Sequence, residues 1–161
     1  MRNQEKGWTA AVAAMTGVLA SARIVAAETG PGASSIVPVA RRVVVSIPDR
    51  TLALIVNDEV VRVYPVAVGK PSTPSPVGTF TIANRVANPT SYKAGTVIAP
   101  GESNPIGTRW LGLSLKGYGI HGTDAPSSIG RARSHGCIRL RNGDVELLFE
   151  QLRPGDVVEI R

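Results

Sequence analysis

Residues 42–68 read RVVVSIPDRTLALIVNDEVVRVYPVAV and carry the strongest structural signal in the chain. Three β-branched runs, at 43–47, 51–56 and 60–68, are separated by Pro48-Asp49-Arg50 and Asn57-Asp58. Apolar runs of this length, bounded by Pro, Asp and Asn, predict strands joined by tight turns. Further short strands are expected at 78–82, 110–115, 119–121 and 156–160.

One helix is predicted near the C-terminus. Its apolar residues fall at i, i+3, i+4 and i+7, which places them on a single face. They are Val145, Leu148, Phe149 and Leu152. Asn142 is expected to cap the N-terminus, and Pro154-Gly155 to end the helix. The pattern therefore predicts a mainly β fold with one short helix packed on it.

The N-terminus has the composition of a secretory signal peptide. Arg2 and Lys6 precede an apolar stretch at 8–22, and Val25-Ala26-Ala27 supplies the small residues read by a signal peptidase. This predicts a signal peptide at 1–27 and export to the periplasm or cell wall. An uncleaved membrane anchor is the alternative.

Length and composition predict one domain after this segment. A chain of 161 residues with 43% apolar content holds one compact domain, expected at 41–161, behind a flexible Gly-, Pro- and Ser-rich linker at 28–40. Between 84 and 108 little pattern is visible, and a loop of this length is typical of either a binding lid or a disordered segment.

The charge distribution argues against nucleic acid as a partner. The formal net charge of +6 falls to +4 without residues 1–27, and the cations are dispersed apart from one arginine cluster. That cluster consists of Arg131, Arg133, Arg139 and Arg141. An anionic polymer outside the membrane suits this charge better.

The residues capable of catalysis are concentrated in 118–140, YGIHGTDAPSSIGRARSHGCIRL. Both histidines, His121 and His135, and the single cysteine, Cys137, fall within 17 residues. A thiol becomes a strong nucleophile when a neighbouring base removes its proton. Gly136 permits a sharp turn that can direct N–H groups at an oxyanion beside the sulfur. The pattern favours a cysteine nucleophile.

These residues also allow three other interpretations. Cys137 could be a small core residue, although its polar flanks suit a buried strand poorly. His121 could be a hydrogen-bonded core histidine. Zinc could be bound by the two histidines and the cysteine, but the spacing of His135 and Cys137 is tighter than in ordinary zinc ligand pairs, and no further ligand completes the set. We therefore predict no metal and no cofactor.

At these residues the sequence resembles the L,D-transpeptidases of bacterial cell walls, also called the YkuD domain. The match lies in His121-Gly122-Thr123, Pro126-Ser127-Ser128-Ile129-Gly130 and Ser134-His135-Gly136-Cys137-Ile138-Arg139-Leu140. It extends to 68–70, 75–80 and 155–158. The resemblance implies a single β-sandwich-like or barrel-like catalytic domain.

The resemblance also implies roles for individual residues. Cys137 is the nucleophile and His121 the general base, with its ring held by the Gly122 carbonyl. His135, Gly136 and Cys137 are the backbone donors of an oxyanion hole. Ser134 fixes the turn or contacts substrate, Tyr118 contacts substrate, and Arg139 either holds a substrate carboxylate or anchors the turn.

The geometry of an extended chain independently favours His121 as the base. His135 and Cys137 are two residues apart, so their side chains would leave one face about 6.5 Å from each other, which is too far for a direct hydrogen bond. His121 comes from a separate strand and has no such constraint. A role of His135 as the base, or a shared network, remains the alternative.

The activity implied by the resemblance is peptidoglycan L,D-transpeptidation, and we predict that the protein is a monomer. Cys137 would attack the L,D amide of a stem tetrapeptide, release D-Ala and pass the acyl group to an amine. Carbapenems would acylate the same thiol. The alternatives are an L,D-carboxypeptidase with the same Cys–His site, in which water accepts the acyl group, and a wall-binding module without catalysis.

Overall fold

The computed structural model describes residues 39–93 and 95–161, so the predicted signal peptide and the predicted linker up to residue 38 lie outside the described residues. Within these ranges no helix has the length and apolar character needed to cross a bilayer.

The strands are β1 (Arg41–Ser46), β2 (Thr51–Val56), β3 (Glu59–Pro65), β4 (Val68–Gly69), β5 (Gly78–Ala87), β6 (Ser91–Lys93), β7 (Thr96–Ile98), β8 (Arg109–Leu113), β9 (Gly119–His121), β10 (Ala132–Ser134), β11 (Ile138–Arg139) and β12 (Val157–Ile160). The helix α1 is Asn142–Gln151, and a 3-10 turn covers Pro126–Ser128.

Eight of these strands form one curled sheet, in the order β11-β9-β8-β5-β12-β1-β2-β3. β5 joins its two halves, because residues 78–81 pair with β12 and residues 82–87 pair with β8. The register shifts between Ile82 and Asn84, and such an irregularity bends a strand and increases its twist. The mainly β fold predicted from sequence, with one short helix near the C-terminus, is confirmed.

The predicted turns form where the local sequence favours them. Asn57 and Asp58 have φ of 50° and 65° and connect β2 to β3 as a two-residue hairpin turn. The predicted strand at 60–68, however, is divided. β3 ends at Pro65, which has no N–H to donate, and β4 leaves the sheet to pair with β10.

Helix α1 covers β8 and β9. Val145, Leu148 and Phe149 face the core as predicted, and Leu152, which is fully buried, caps the C-terminus directly after the last helical turn. The helix thereby fixes β9, the strand that carries His121.

Candidate active site

Two neighbouring strands bring His121 and Cys137 together. β9 and β11 run parallel, with Ile120 opposite Ile138 and His121 opposite Arg139. Cys137 directly precedes β11, so its side chain lies diagonally across from His121 on the same face of the strand pair. Both side chains line one cleft of about 240 Å³. The residues lining this cleft are Ser91, Tyr92, Pro105, Ile106, His121, Ser134, His135, Cys137 and Arg139.

The His121 ring is held from two sides. Its Nδ1 donates a hydrogen bond of 2.6 Å to the carbonyl of Gly122, as expected from sequence. Trp110 stacks on the ring with centroids 5.6 Å apart, and the Trp110 Nε1–H donates to Asn84 Oδ1 at 3.1 Å. Because a carbonyl can only accept, the proton is on Nδ1. Nε2 is therefore the nitrogen free to take a proton.

The side chain of Asn142, in α1, positions the Gly122 carbonyl through hydrogen bonds to the neighbouring backbone. Asn142 Oδ1 accepts hydrogen bonds from the N–H of Thr123 at 3.0 Å and of Thr108 at 3.4 Å. The prediction that Asn142 caps α1 is therefore wrong: it is the first helical residue, Arg141 occupies the N-cap position, and no side chain caps the helix. Gly122 must lack a side chain, since a Cβ there would lie 2.2 Å from Asn142 Oδ1.

Burial sets the protonation states of the pair. It lowers the pKa of His121 to about 4; the Gly122 hydrogen bond opposes this shift and the Arg139 charge adds to it. Burial also raises the pKa of the Cys137 thiol, against the Gly119 N–H and the Arg139 charge, which lower it. At neutral pH the pair therefore rests as neutral imidazole and neutral thiol.

Ser134 shapes the turn before the cysteine. Its fully buried hydroxyl donates to the Cys137 carbonyl at 2.5 Å and accepts from the Gly136 N–H at 3.0 Å. Gly136 has φ of 114°, and a Cβ there would lie 2.7 Å from the Tyr118 ring. The Gly136 N–H, predicted as an oxyanion donor, is thus already engaged. Among the described residues, the N–H groups of His135 and Cys137 have no hydrogen-bond partner.

The remaining predicted residues take different positions. His135 and Arg139 line the cleft, and the His135 side chain is exposed. Tyr118 lies behind Gly136, partly buried against the core, and is not one of the cleft-lining residues. Its predicted substrate contact stays a prediction. No cluster of three His, Cys, Asp or Glu side chains that could hold a metal ion occurs within 39–93 and 95–161.

The segment at 84–108, for which the sequence left open a binding lid or a disordered segment, supplies a wall of the cleft. It contains the end of β5 and the β6–β7 hairpin. Asn104 is fully buried; its two amide hydrogens are shared among the carbonyls of Pro89, Ile98 and Ala99 at 2.9 to 3.2 Å, and its Oδ1 accepts from the Ile106 N–H at 3.0 Å. These bonds hold Pro105 and Ile106 at the cleft. In the sequence, only the position of Asn104 between Gly101 and Gly107 hints at this arrangement, because its burial is visible only in the structure.

A free thiol directly before one strand and a buried imidazole on the neighbouring strand line the same cleft, and this arrangement is typical of proteins with a cysteine nucleophile. Residues 40–160 match the model of the L,D-transpeptidase catalytic domain, YkuD. The chain belongs to this L,D-transpeptidase family, as the sequence resemblance predicted.

Individual relatives agree with this assignment. A Bacillus licheniformis protein named L,D-transpeptidase YkuD is 42% identical over 140 residues, which cover 83% of this chain and 77% of the relative. The protein of that name from Bacillus subtilis is 44% identical over 115 residues, covering 71% and 62%. A solved L,D-transpeptidase from Mycobacterium smegmatis has a TM-score of 0.65 and 25% identity, covering 76% of this chain and 59% of that one. The chain thus spans less than two thirds of the latter two proteins.

Proposed function

We propose that this protein is a peptidoglycan L,D-transpeptidase that uses Cys137 as its nucleophile and His121 as its general base. One observation carries the proposal: the Nδ1–H of His121 is committed to the Gly122 carbonyl, so the Nε2 lone pair is free in the cleft that Cys137 also lines. This arrangement suits a base that removes the thiol proton. Membership of the L,D-transpeptidase family supports a stem tetrapeptide as the acyl donor.

The first half-reaction follows from the neutral resting pair. As Cys137 Sγ attacks the L,D amide carbonyl, the thiol proton moves to His121 Nε2. The C–S bond forms and the carbonyl oxygen becomes an oxyanion. The free N–H groups of His135 and Cys137 are suited to stabilise it. His121 then delivers the proton to the nitrogen of D-Ala, the C–N bond breaks, and a thioester on Cys137 remains.

A neutral pair has a mechanistic advantage in this cleft. Burying a thiolate and an imidazolium side by side would cost free energy that a neutral pair does not incur. A base with a pKa near 4 is weak, so the proton transfer must accompany C–S bond formation. The Arg139 charge, which lowers the thiol pKa, favours the developing thiolate.

The test is incubation of the protein with purified tetrapeptide muropeptides, with and without an amine acceptor. We expect a thioester adduct on Cys137 by intact-protein mass, release of D-Ala, and a cross-linked product that requires the amine. Release of D-Ala that yields only tripeptide, whatever amine is present, would replace the transferase with the L,D-carboxypeptidase. Absence of both adduct and D-Ala release would contradict the catalytic function.

We further propose that the protein is exported and acts in the periplasm or cell wall. The charged and apolar pattern of residues 1–27 supports this, as does a substrate class that lies outside the membrane. N-terminal sequencing of the mature protein is expected to start near Glu28. A form that retains Met1 in the membrane fraction would contradict cleavage and support an anchor.

A further inference from the structure

Trp110 and His121 occupy directly opposite positions on two paired strands. β8 and β9 run antiparallel with Trp110 opposite His121, so the two side chains leave the same face of the sheet. The planes of the two rings are inclined by 23° and their centroids lie 5.6 Å apart, so the indole presents its face to the imidazole. His121 is only 4% exposed, which means that the two rings meet in an environment with little water.

The indole is fixed in this position by its own contacts. Trp110 Nε1–H donates to Asn84 Oδ1, on β5, at 3.1 Å. Two glycines leave the space that the indole and the amide occupy. A Cβ on Gly119 would lie 2.6 Å from Trp110 Cη2. A Cβ on Gly112 would lie 2.6 Å from Asn84 Oδ1. The stacking is therefore built into the fold and does not depend on a substrate.

The His121 ring lacks a negative partner that would stabilise its protonated form. Its Nδ1–H is bonded to the Gly122 carbonyl, which carries no net charge. Among the residues that the structure describes, no carboxylate lines the cleft shared with Cys137 or forms an ion pair with His121. Burial lowers the pKa of the ring to about 4, and the like charge of Arg139, on β11, adds to this shift. These groups therefore compensate a positive charge on the ring poorly.

An indole face is suited to supply part of the missing stabilisation. Its π-electrons make the face electronegative, so a cation within about 6 Å of the ring centroid is attracted to it, most strongly over tryptophan. The attraction is larger where water is excluded. A neutral imidazole gains little from such a face, whereas an imidazolium gains the full attraction. Interactions that appear only as the reaction proceeds are those that accelerate the chemical step.

We propose that the indole of Trp110 stabilises the imidazolium that forms on His121 while Cys137 is being acylated. This inference rests on the proposed function. As the S–H bond of Cys137 breaks and the C–S bond forms, the proton and its positive charge move to His121 Nε2. The charge leaves the ring when this proton passes to the nitrogen of D-Ala and the C–N bond breaks. Trp110 acts through His121, as a positioning residue, and does not itself react.

The experiment weakens the π-face of Trp110 while keeping its shape. The chain has two tryptophans, so the full chain with Trp8→Phe carries Trp110 alone and can be produced with fluorinated tryptophan. Fluorine is placed at Cε3 and Cζ3 of the indole, because Cη2 and Cζ2 lie against Gly119. We expect the limiting rate of thioester formation from tetrapeptide, followed by intact-protein mass, to fall about two- to threefold per fluorine, with an unchanged KM.

The possible results distinguish this inference from the proposed function. A limiting rate that does not depend on fluorination, measured on a confirmed thioester, would overturn the inference and leave the proposed function intact. A rise in KM at an unchanged limiting rate would assign the indole to substrate binding and would also overturn the inference. Failure of the protein with ordinary tryptophan to form the thioester would overturn both.

Substitutions of Trp110 give a second test with a larger effect. Trp110→Leu keeps an apolar side chain without a π-face and should lower the limiting rate about 10- to 30-fold, whereas Trp110→Phe should give an intermediate loss. The matched control is the same substitution in the His121→Ala protein, where Trp110→Leu should cause no further loss, because no imidazolium forms there. An equal loss in both backgrounds would show that the indole acts independently of His121 and would overturn the inference.

Discussion

Replacing Cys137 by alanine is expected to abolish acyl-enzyme formation, with a loss of at least about 10⁴-fold in the rate of D-Ala release from tetrapeptide. The substitution removes the sulfur atom to which we propose that the acyl group is attached. The fold should survive, because the side chain is only partly buried and lies at a turn outside the hydrophobic core. We expect the free energy of unfolding to change by no more than about 1 kcal/mol.

A carbapenem provides a sharper readout of the same residue. Its strained carbonyl should acylate the wild-type thiol and increase the intact mass by the mass of the drug, with penicillins reacting less. Cys137→Ala should stay unmodified after long exposure, and Cys137→Ser is the matched control that keeps a polar atom at the site. A large loss of thermal stability in Cys137→Ala with wild-type D-Ala release would instead identify a core cysteine and contradict the proposed chemistry.

The features predicted correctly from sequence are those with local physical causes. The hairpin at Asn57-Asp58 forms because both residues tolerate positive φ, and the apolar face of α1 forms because its spacing matches the helical repeat. The pairing of β9 with β11 could be expected only through the family resemblance. Nothing local in 119–121 and 138–139 specifies that these short strands lie side by side.

The predictions that failed were overridden by long-range contacts. Asn142 has the local signature of a helix cap, but its side chain bonds to backbone amides of two distant loops, which no local rule anticipates. Trp110 does lie in a strand, as predicted, but its stacking on His121 depends on the tertiary fold and could not be predicted from the local sequence. The neutral resting state of the Cys–His pair likewise depends on burial, which the sequence does not specify residue by residue.

The second large loss of activity is expected when His121 is substituted, and it distinguishes the role of His121 from that of His135. His121→Ala should slow acylation by tetrapeptide about 10²- to 10⁴-fold, because it removes the ring that we propose takes the thiol proton. His135→Ala should have a much smaller effect, since the exposed ring is removed while the backbone N–H remains. If His135→Ala alone produced the large loss, the assignment of the base would be reversed.

The pH dependence of acylation tests the same assignment without relying on the size of a mutational loss. Burial lowers the pKa of His121 to about 4, so its ring is neutral and able to accept a proton at higher pH and becomes protonated as the pH falls through this value. Wild-type carbapenem acylation should therefore hold down to about pH 5 and decline below it, with the decline absent in His121→Ala and present in His135→Ala.

Iodoacetamide alkylation of Cys137 should have its midpoint above that of an ordinary thiol, because burial raises the thiol pKa. His121→Ala admits water and should move this midpoint down toward the ordinary value. A wild-type midpoint well below the ordinary value would instead indicate a thiolate–imidazolium pair at rest and contradict the neutral pair on which the mechanism is built.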